Sequence, residues 1–260
     1  MMIELRKLSD LKLYVSEAKN KGLSIGFVPT MGFLHDGHMS LIKLSNINSD
    51  LTIASIYVNP SQFNDLEDFQ NYPKDEDRDI EILQNNNCDA VFIPDQYEIE
   101  SLSKVVIDFK GLDELMEGRF RPGHFNGLVE VVYRLFCAVT PDKAFFGEKD
   151  YQQLQIIQNL VDELKMPIKI IGGPILREPS GLAMSSRNSR LSATHRVNAG
   201  FIYDVLRSFK PQDRKLAEQI LADSGFELEY LESFTFGESK RLFVAGILDG
   251  VRLIDNVKIN

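Results

Sequence analysis

Segments that read as strands alternate with segments that read as helices through the first two-thirds of the chain, and few folds accommodate that order. Residues 24–28 are a short run of strand formers, and residues 39–47 then place Leu41, Ile42, Leu44 and Ile47 at helical spacing. Residues 51–58, 90–93, 104–109, 143–146 and 168–171 read as further strands. Residues 75–86, 126–139 and 151–164 read as the helices between them. Alternation of this kind implies an α/β fold, a Rossmann-like parallel sheet with helices on both faces. In such sheets the ligand crevice lies beyond the carboxyl ends of the strands.

Past Asn188 the pattern changes. Residues 193–209 and 213–224 look like two helices parted by Lys210-Pro211, and residues 227–234, 242–247 and 251–254 look like strands. Leu248-Asp249-Gly250 between the last two is a hairpin signal. This tail reads as a small C-terminal α+β domain, which divides the chain into residues 1–178 and 179–260.

Composition narrows the function. At 43% hydrophobic and 26% charged residues the chain has ample material for a core. No apolar run is long enough to span a bilayer, so no membrane partner is expected. Charges at Glu4, Arg6 and Lys7 stand where a secretion signal needs an apolar stretch. Cys88 and Cys137, each among apolar neighbours, read as reduced core residues, and the expected compartment is the cytoplasm. A net charge of −9 disfavours a nucleic-acid partner, whose binding rests on Lys and Arg against phosphate. It leaves a nucleotide substrate open, because only local charge matters there.

Local chemistry concentrates after the strands. Pro29, Thr30, Met31, Gly32, Phe33, Leu34, His35, Asp36, Gly37 and His38 form a small-residue turn running into a helix start. A helix start offers unpaired N–H groups and partial positive charge to phosphate, and His35 and His38 add two donors on its first turn. Asn59 and Gln62 follow the second strand, where neutral amides suit hydroxyls or a carboxylate. Arg119-Phe120-Arg121-Pro122-Gly123-His124 joins two cations to a histidine. Gly147, Glu148, Lys149 and Asp150 lead into a helix carrying Gln153, with Lys149 placed to neutralise phosphate. Met184, Ser185, Ser186 and Arg187 supply two hydroxyls and a guanidinium that can wrap a triphosphate and follow charge onto pyrophosphate.

The His-x-Gly-His turn resembles the signature of the nucleotidyltransferases that also include class I aminoacyl-tRNA synthetases, and Met-Ser-Ser-Arg resembles their Lys-Met-Ser-Lys-Ser loop. The whole set, from Pro-Thr-Met-Gly-x-Leu-His-x-Gly-His through Val-Asn-Pro-x-Gln-Phe, Tyr72-Pro73, Arg-Pro-x-His-Phe, Phe-Phe-Gly-Glu-Lys-Asp-Tyr-Gln-Gln and Gly-Leu-Ala-Met-Ser-Ser-Arg-Asn, resembles the pantoate–β-alanine ligase family. Arg252-Leu253-Ile254-Asp255-Asn256 fits as well. The chain departs from the family at Lys74, where arginine is usual, and in its short, loosely matching C-terminal domain.

That resemblance implies a two-step ligation. ATP and pantoate give pantoyl adenylate and pyrophosphate, and β-alanine then displaces AMP to give pantothenate. It assigns His35, His38, Lys149 and Arg187 to catalysis, with His38 as proton donor. Residues 29–38, Gly147, Glu148, Lys149, Asp150, Leu176, Met184, Ser185, Ser186 and Arg187 would bind ATP. Gln62, Gln153, Asn59, Tyr72, Arg121 and His124 would bind the other substrates. Mg²⁺ would enter on the ATP phosphates, with Asp77 or Asp79 assisting, and no dedicated metal site is expected. The resemblance further implies a homodimer and a closing role for the small domain. Two other readings remain: a nucleotidyltransferase that adenylates a phosphate ester, disfavoured by the Gln62 and Gln153 pair, and a non-catalytic nucleotide-binding regulator, which would need a damaged site.

Overall fold

A computed structural model describes residues 2–64 and 66–259. The strands are β1 Ile3–Leu5, β2 Ile25–Thr30, β3 Leu51–Ile56, β4 Ala90–Phe92, β5 Lys143–Gly147, β6 Lys169–Gly173, β7 Glu227–Phe236, β8 Ser239–Leu248 and β9 Val251–Lys258. The helices begin with α1 Leu8–Asn20, α2 Asp36–Asn48, α3 Leu66–Gln70, α4 Glu76–Asn85, α5 Gln96–Glu100 and α6 Met116–Phe120. They continue with α7 His124–Val139, α8 Tyr151–Glu163, α9 Ala193–Asn198, α10 Phe201–Ser208 and α11 Arg214–Asp223. Two compact units result, Met1–Glu148 with Gln152–Gly173, and Lys149–Tyr151 with Pro174–Asn260. The division falls at Pro174, whereas the sequence suggested one after residue 178.

In the first unit six parallel strands lie in the order β1-β4-β3-β2-β5-β6. Side chains alternate across such a sheet. Phe27 therefore meets Phe136 of α7 edge-on at 6.4 Å. Its neighbour Val28 joins Leu41 and Ile42 of α2 and Leu83 of α4 on the other face. Helices thus cover both faces, as the alternation of elements requires. The chain leaves β2 toward β3 on one side, while β5 flanks β2 on the other. That reversal puts the crevice at the carboxyl ends of β2 and β5, just past Thr30 and Gly147.

In the second unit the antiparallel sheet β7-β8-β9 buries Leu242, Val244 and Leu253 against Ile202 and Leu206 of α10 and Leu221 of α11. Asp249 and Gly250, with φ of 53° and 70°, are both left-handed, the geometry of a tight two-residue hairpin.

Three sequence readings need correction. Residues 104–109 form no strand. The Asp108 carbonyl accepts from Asn159 Nδ2 at 2.8 Å and its N–H donates to Glu163 at 3.3 Å, so α8 side chains take the bonds that a ladder would have used. Cys137 is exposed, because it falls on the outer stripe of α7 while Phe136 and Val139 turn inward. Cys88 alone is a core thiol, pushed up to about 12 by burial. The helix read over 193–209 breaks at Ala199 and Gly200, since α9 buries none of its residues and α10 turns Ile202, Val205 and Leu206 inward. β1 and α1 were not read at all.

Candidate active site

The turn after β2 is built largely from its own atoms. Thr30 Oγ1 donates to the Ser55 carbonyl at 2.7 Å and accepts from the Gly32 N–H at 3.2 Å, closing the turn against β3. Gly32 has φ of 78°, and a Cβ there would lie 2.9 Å from Asp79 Oδ2. That carboxylate is the outside brace. It accepts from the Phe33 N–H at 2.6 Å and the Leu34 N–H at 2.7 Å. Arg78 beside it donates to the Leu34 carbonyl at 3.0 Å and lies over the Phe33 ring at 5.2 Å. Asp79 is only 1% exposed. Burial pushes its carboxyl above the usual range, against the pull of the two N–H groups and Arg78.

The two histidines start α2. His35 stands at the N-cap, one step outside the helix, and its Nδ1 accepts from the Gly37 N–H at 3.1 Å. His38, three residues on, returns its Nδ1 to the His35 N–H at 3.3 Å. This is a capping box made of two imidazoles. In each neutral ring an accepting Nδ1 places the proton on Nε2. The rings lie 4.0 Å apart at a helix N-terminus. Such a pair suits an oxyanion or phosphate.

Beyond β3, Gln62 is nearly buried and its backbone carbonyl is clamped. His124 Nδ1 donates to it at 2.8 Å and Arg121 Nη2 at 3.2 Å. Arg121 Nη1 lies 3.1 Å from His124 Nε2, and a guanidinium can only donate, so that ring carries its proton on Nδ1. Arg121 also reaches Glu117 at 3.4 Å. The structure therefore ties Arg121 and His124 to the Gln62 main chain. Asn59 is spent in the same frame, its Nδ2 donating to the Gly127 carbonyl at 3.0 Å while its Oδ1 accepts from Ser61 at 3.0 Å. A Cβ on Gly127 would stand 2.2 Å from the Ser61 carbonyl oxygen, so only glycine lets α7 approach this loop. Tyr72 packs edge-on against Phe63 at 5.6 Å.

At the end of β5, Gly147 has open space where a Cβ would be. Of the two glutamines opening α8, Gln152 is buried and donates to the Leu112 and Leu115 carbonyls at 2.6 and 2.9 Å, leaving Gln153 as the partly exposed amide.

Within the second unit, the Lys149 ammonium lies 3.7 Å from Asp150. Met184 N–H donates to the Leu176 carbonyl at 3.0 Å. Ser185 caps the short turn of helix that follows, accepting from the Arg187 N–H at 3.3 Å. Glu178 steadies this segment through Asn188 at 2.8 Å and Arg196 at 2.8 Å.

The pantoate-beta-alanine ligase family profile matches residues 4–258. The chain belongs to that ligase family. It is 45% identical to the pantothenate synthetase of Christiangramia forsetii, covering 95% of both chains. It is 38% identical to that of Aquifex aeolicus, covering 100% of this chain and 99% of the other. The pantoate-beta-alanine ligase of Francisella tularensis, solved with βγ-ATP and β-alanine, superposes with a TM-score of 0.90 at 37% identity over 99% and 98% of the chains. Pantothenate synthetase from Thermus thermophilus gives 0.86 at 35% identity over 99% of each. The family reaction joins pantoate to β-alanine.

Sequence reading missed Asp79 as a brace, Gln152 as a clamp and Gly127 as a contact. Asp79 had a signal, a carboxylate four residues before Leu83 on the buried stripe of α4. Among the described residues no three His, Cys, Asp or Glu side chains gather as a metal site.

Proposed function

We propose that the first unit forms the acyl adenylate and that Lys149, Met184, Ser185, Ser186 and Arg187 of the second unit handle the triphosphate. The observation that carries this reading is the histidine capping box at the carboxyl end of β2, two imidazoles 4.0 Å apart at a helix N-terminus. A carboxylate acylates amines poorly, and adenylation supplies a leaving group. One pantoate carboxylate oxygen attacks the α-phosphorus, an oxygen–phosphorus bond forms, and the bond to pyrophosphate breaks. His35 and His38 donate to phosphate oxygens as charge grows, and Lys149 and Arg187 take up charge on the departing pyrophosphate. The neutral amine of β-alanine then attacks the acyl carbon. A carbon–nitrogen bond forms, AMP leaves with the carboxyl-derived bridging oxygen, and the amine loses its proton.

Gln62 and Gln153 are assigned to pantoate hydroxyls and carboxylate. Arg121, His124 and Asn59 act on substrate through the Gln62 loop they hold. Mg²⁺ riding on the phosphates would offset triphosphate charge. Asp79 has both oxygens turned to backbone N–H groups and Asp77 is exposed, which supports an ion carried by ATP. A cytoplasmic homodimer completes the reading; the family resemblance supports it, and no helix among the described residues is long and apolar enough to cross a membrane. The test is product stoichiometry with all three substrates. Equal amounts of AMP, pyrophosphate and pantothenate are expected; ADP with phosphate, or no amide, would refute it.

A further inference from the structure

One dipeptide on the last strand holds two separate segments of the second unit. Asp255, 4% exposed, takes the Arg177 guanidinium with both oxygens, at 2.5 and 2.9 Å. The same guanidinium donates to the Gly181 carbonyl at 3.0 Å and lies 3.7 Å from the Tyr203 ring centroid. Arg177 in turn pairs with Ala183 in an isolated antiparallel bridge, so fixing Arg177 fixes the place where Met184 departs. Asn256, 1% exposed, donates from Nδ2 to the Lys149 carbonyl at 2.9 Å. Its Oδ1 accepts from Arg241 at 2.6 Å, and that guanidinium lies over the Tyr151 ring at 3.8 Å. Tyr151 also packs edge-on against Phe236 at 5.6 Å. The segment Lys149–Tyr151 is thus held at a carbonyl by β9 and at a ring by β7 and β8. Neighbouring residues of a strand face opposite ways, which lets Asp255 and Asn256 serve different segments. Burial pushes the Asp255 carboxyl up, and the charges of Arg177 and Lys149 pull it back.

We infer that Asp255 and Asn256 are positioning residues of the ligase reaction, Asn256 fixing the Lys149 main chain and Asp255 fixing the Arg177 bridge that leads into Met184, Ser185, Ser186 and Arg187. Neither contacts substrate. Both hold cationic segments in place before ATP arrives, so that less ordering is left to binding and to the transition state. The inference rests on the assignment of Lys149 to the triphosphate made above.

The test is a double-mutant cycle of Asn256→Ala and Lys149→Ala, read as kcat and KM for each substrate. Asn256→Ala should raise the KM for ATP and lower kcat, with kcat/KM for ATP falling about 10-fold while the KM values for pantoate and β-alanine stay within about 2-fold. In the Lys149→Ala background the same change should cost less than about 2-fold, because the two act as one unit. Asn256→Asp keeps the side-chain volume and the acceptor for Arg241 but faces the Lys149 carbonyl with oxygen. It should reproduce the ATP defect, and it carries the cycle if the alanine variant does not fold. Additive losses, equal losses for all three substrates, or wild-type ATP kinetics in the Asn256 variants would overturn the inference. Lys149→Ala by itself separates the two failures. If it leaves ATP kinetics intact, the Lys149 assignment falls and the inference with it; if it damages them while the Asn256 variants are silent, only the positioning role falls.

Discussion

The histidine turn of the first unit and the cationic segments of the second are held in opposite ways. In the turn, Thr30 meets Gly32, His35 meets Gly37 and His38 meets His35, all within ten residues, with Asp79, Arg78 and the Ser55 carbonyl reaching in from outside. Lys149 is tied to a residue 107 positions away and Arg177 to one 78 positions away. A local motif orders itself as its helix forms, whereas the second arrangement exists only after β9 has paired. The first should therefore fail through its own side chains and the second through residues that never meet substrate.

The largest effect should come from within the turn. His38→Ala removes a preorganised donor and should slow adenylate formation by about 10²–10³ with little change in thermal stability. Near wild-type single-turnover rates would show that the capping box is structural only. The brace sharpens the contrast. Asp79→Asn keeps the shape but loses one acceptor for the Phe33 and Leu34 N–H groups, and adenylation should fall about 10-fold. A silent variant would mean that the turn stands unaided.

Smaller still is the clamp on the Gln62 carbonyl. His124→Ala should raise the KM for pantoate about 3- to 10-fold and leave that for ATP nearly unchanged. A defect confined to ATP would move the loop out of the pantoate site. The smallest effect concerns the exposed hairpin of the second unit. The Ser192 N–H, then the Ser192 hydroxyl and the His195 charge, hold the Asp249 carboxyl below its usual range. A depressed carboxylate stabilises the fold above its unfolded pKa, and that stability is lost as pH falls through the folded value. Melting curves of wild type and Asp249→Asn should differ slightly at neutral pH and converge in acid; a constant gap would rule out this ionic contribution.

How much of this was legible in the sequence follows the same division. The strands β2, β3 and β5 were readable because burial on both faces leaves near-continuous apolar runs. The Asp249-Gly250 hairpin was readable because its left-handed turn selects those residues. The histidines were legible as donors at a helix start, though not as each other's caps. Residues 104–109 misled because Ile107 and Phe109 are buried with strand-like alternation while the backbone bonds go to Asn159 and Glu163. The family resemblance assigns Arg121, His124 and Asn59 to substrate, and it took three dimensions to see them gripping the Gln62 loop. Asp255 and Asn256 carried no local signal beyond their motif, since their partners lie in other elements.

The most direct test of the central claim is pantoate-dependent exchange of labelled pyrophosphate into ATP with β-alanine left out. Exchange that needs pantoate, proceeds without β-alanine and collapses in His38→Ala is the expected result, because adenylation at the histidine turn is then a complete and reversible step. Exchange that appears only when β-alanine is present, or that survives His38→Ala at the wild-type rate, would contradict it.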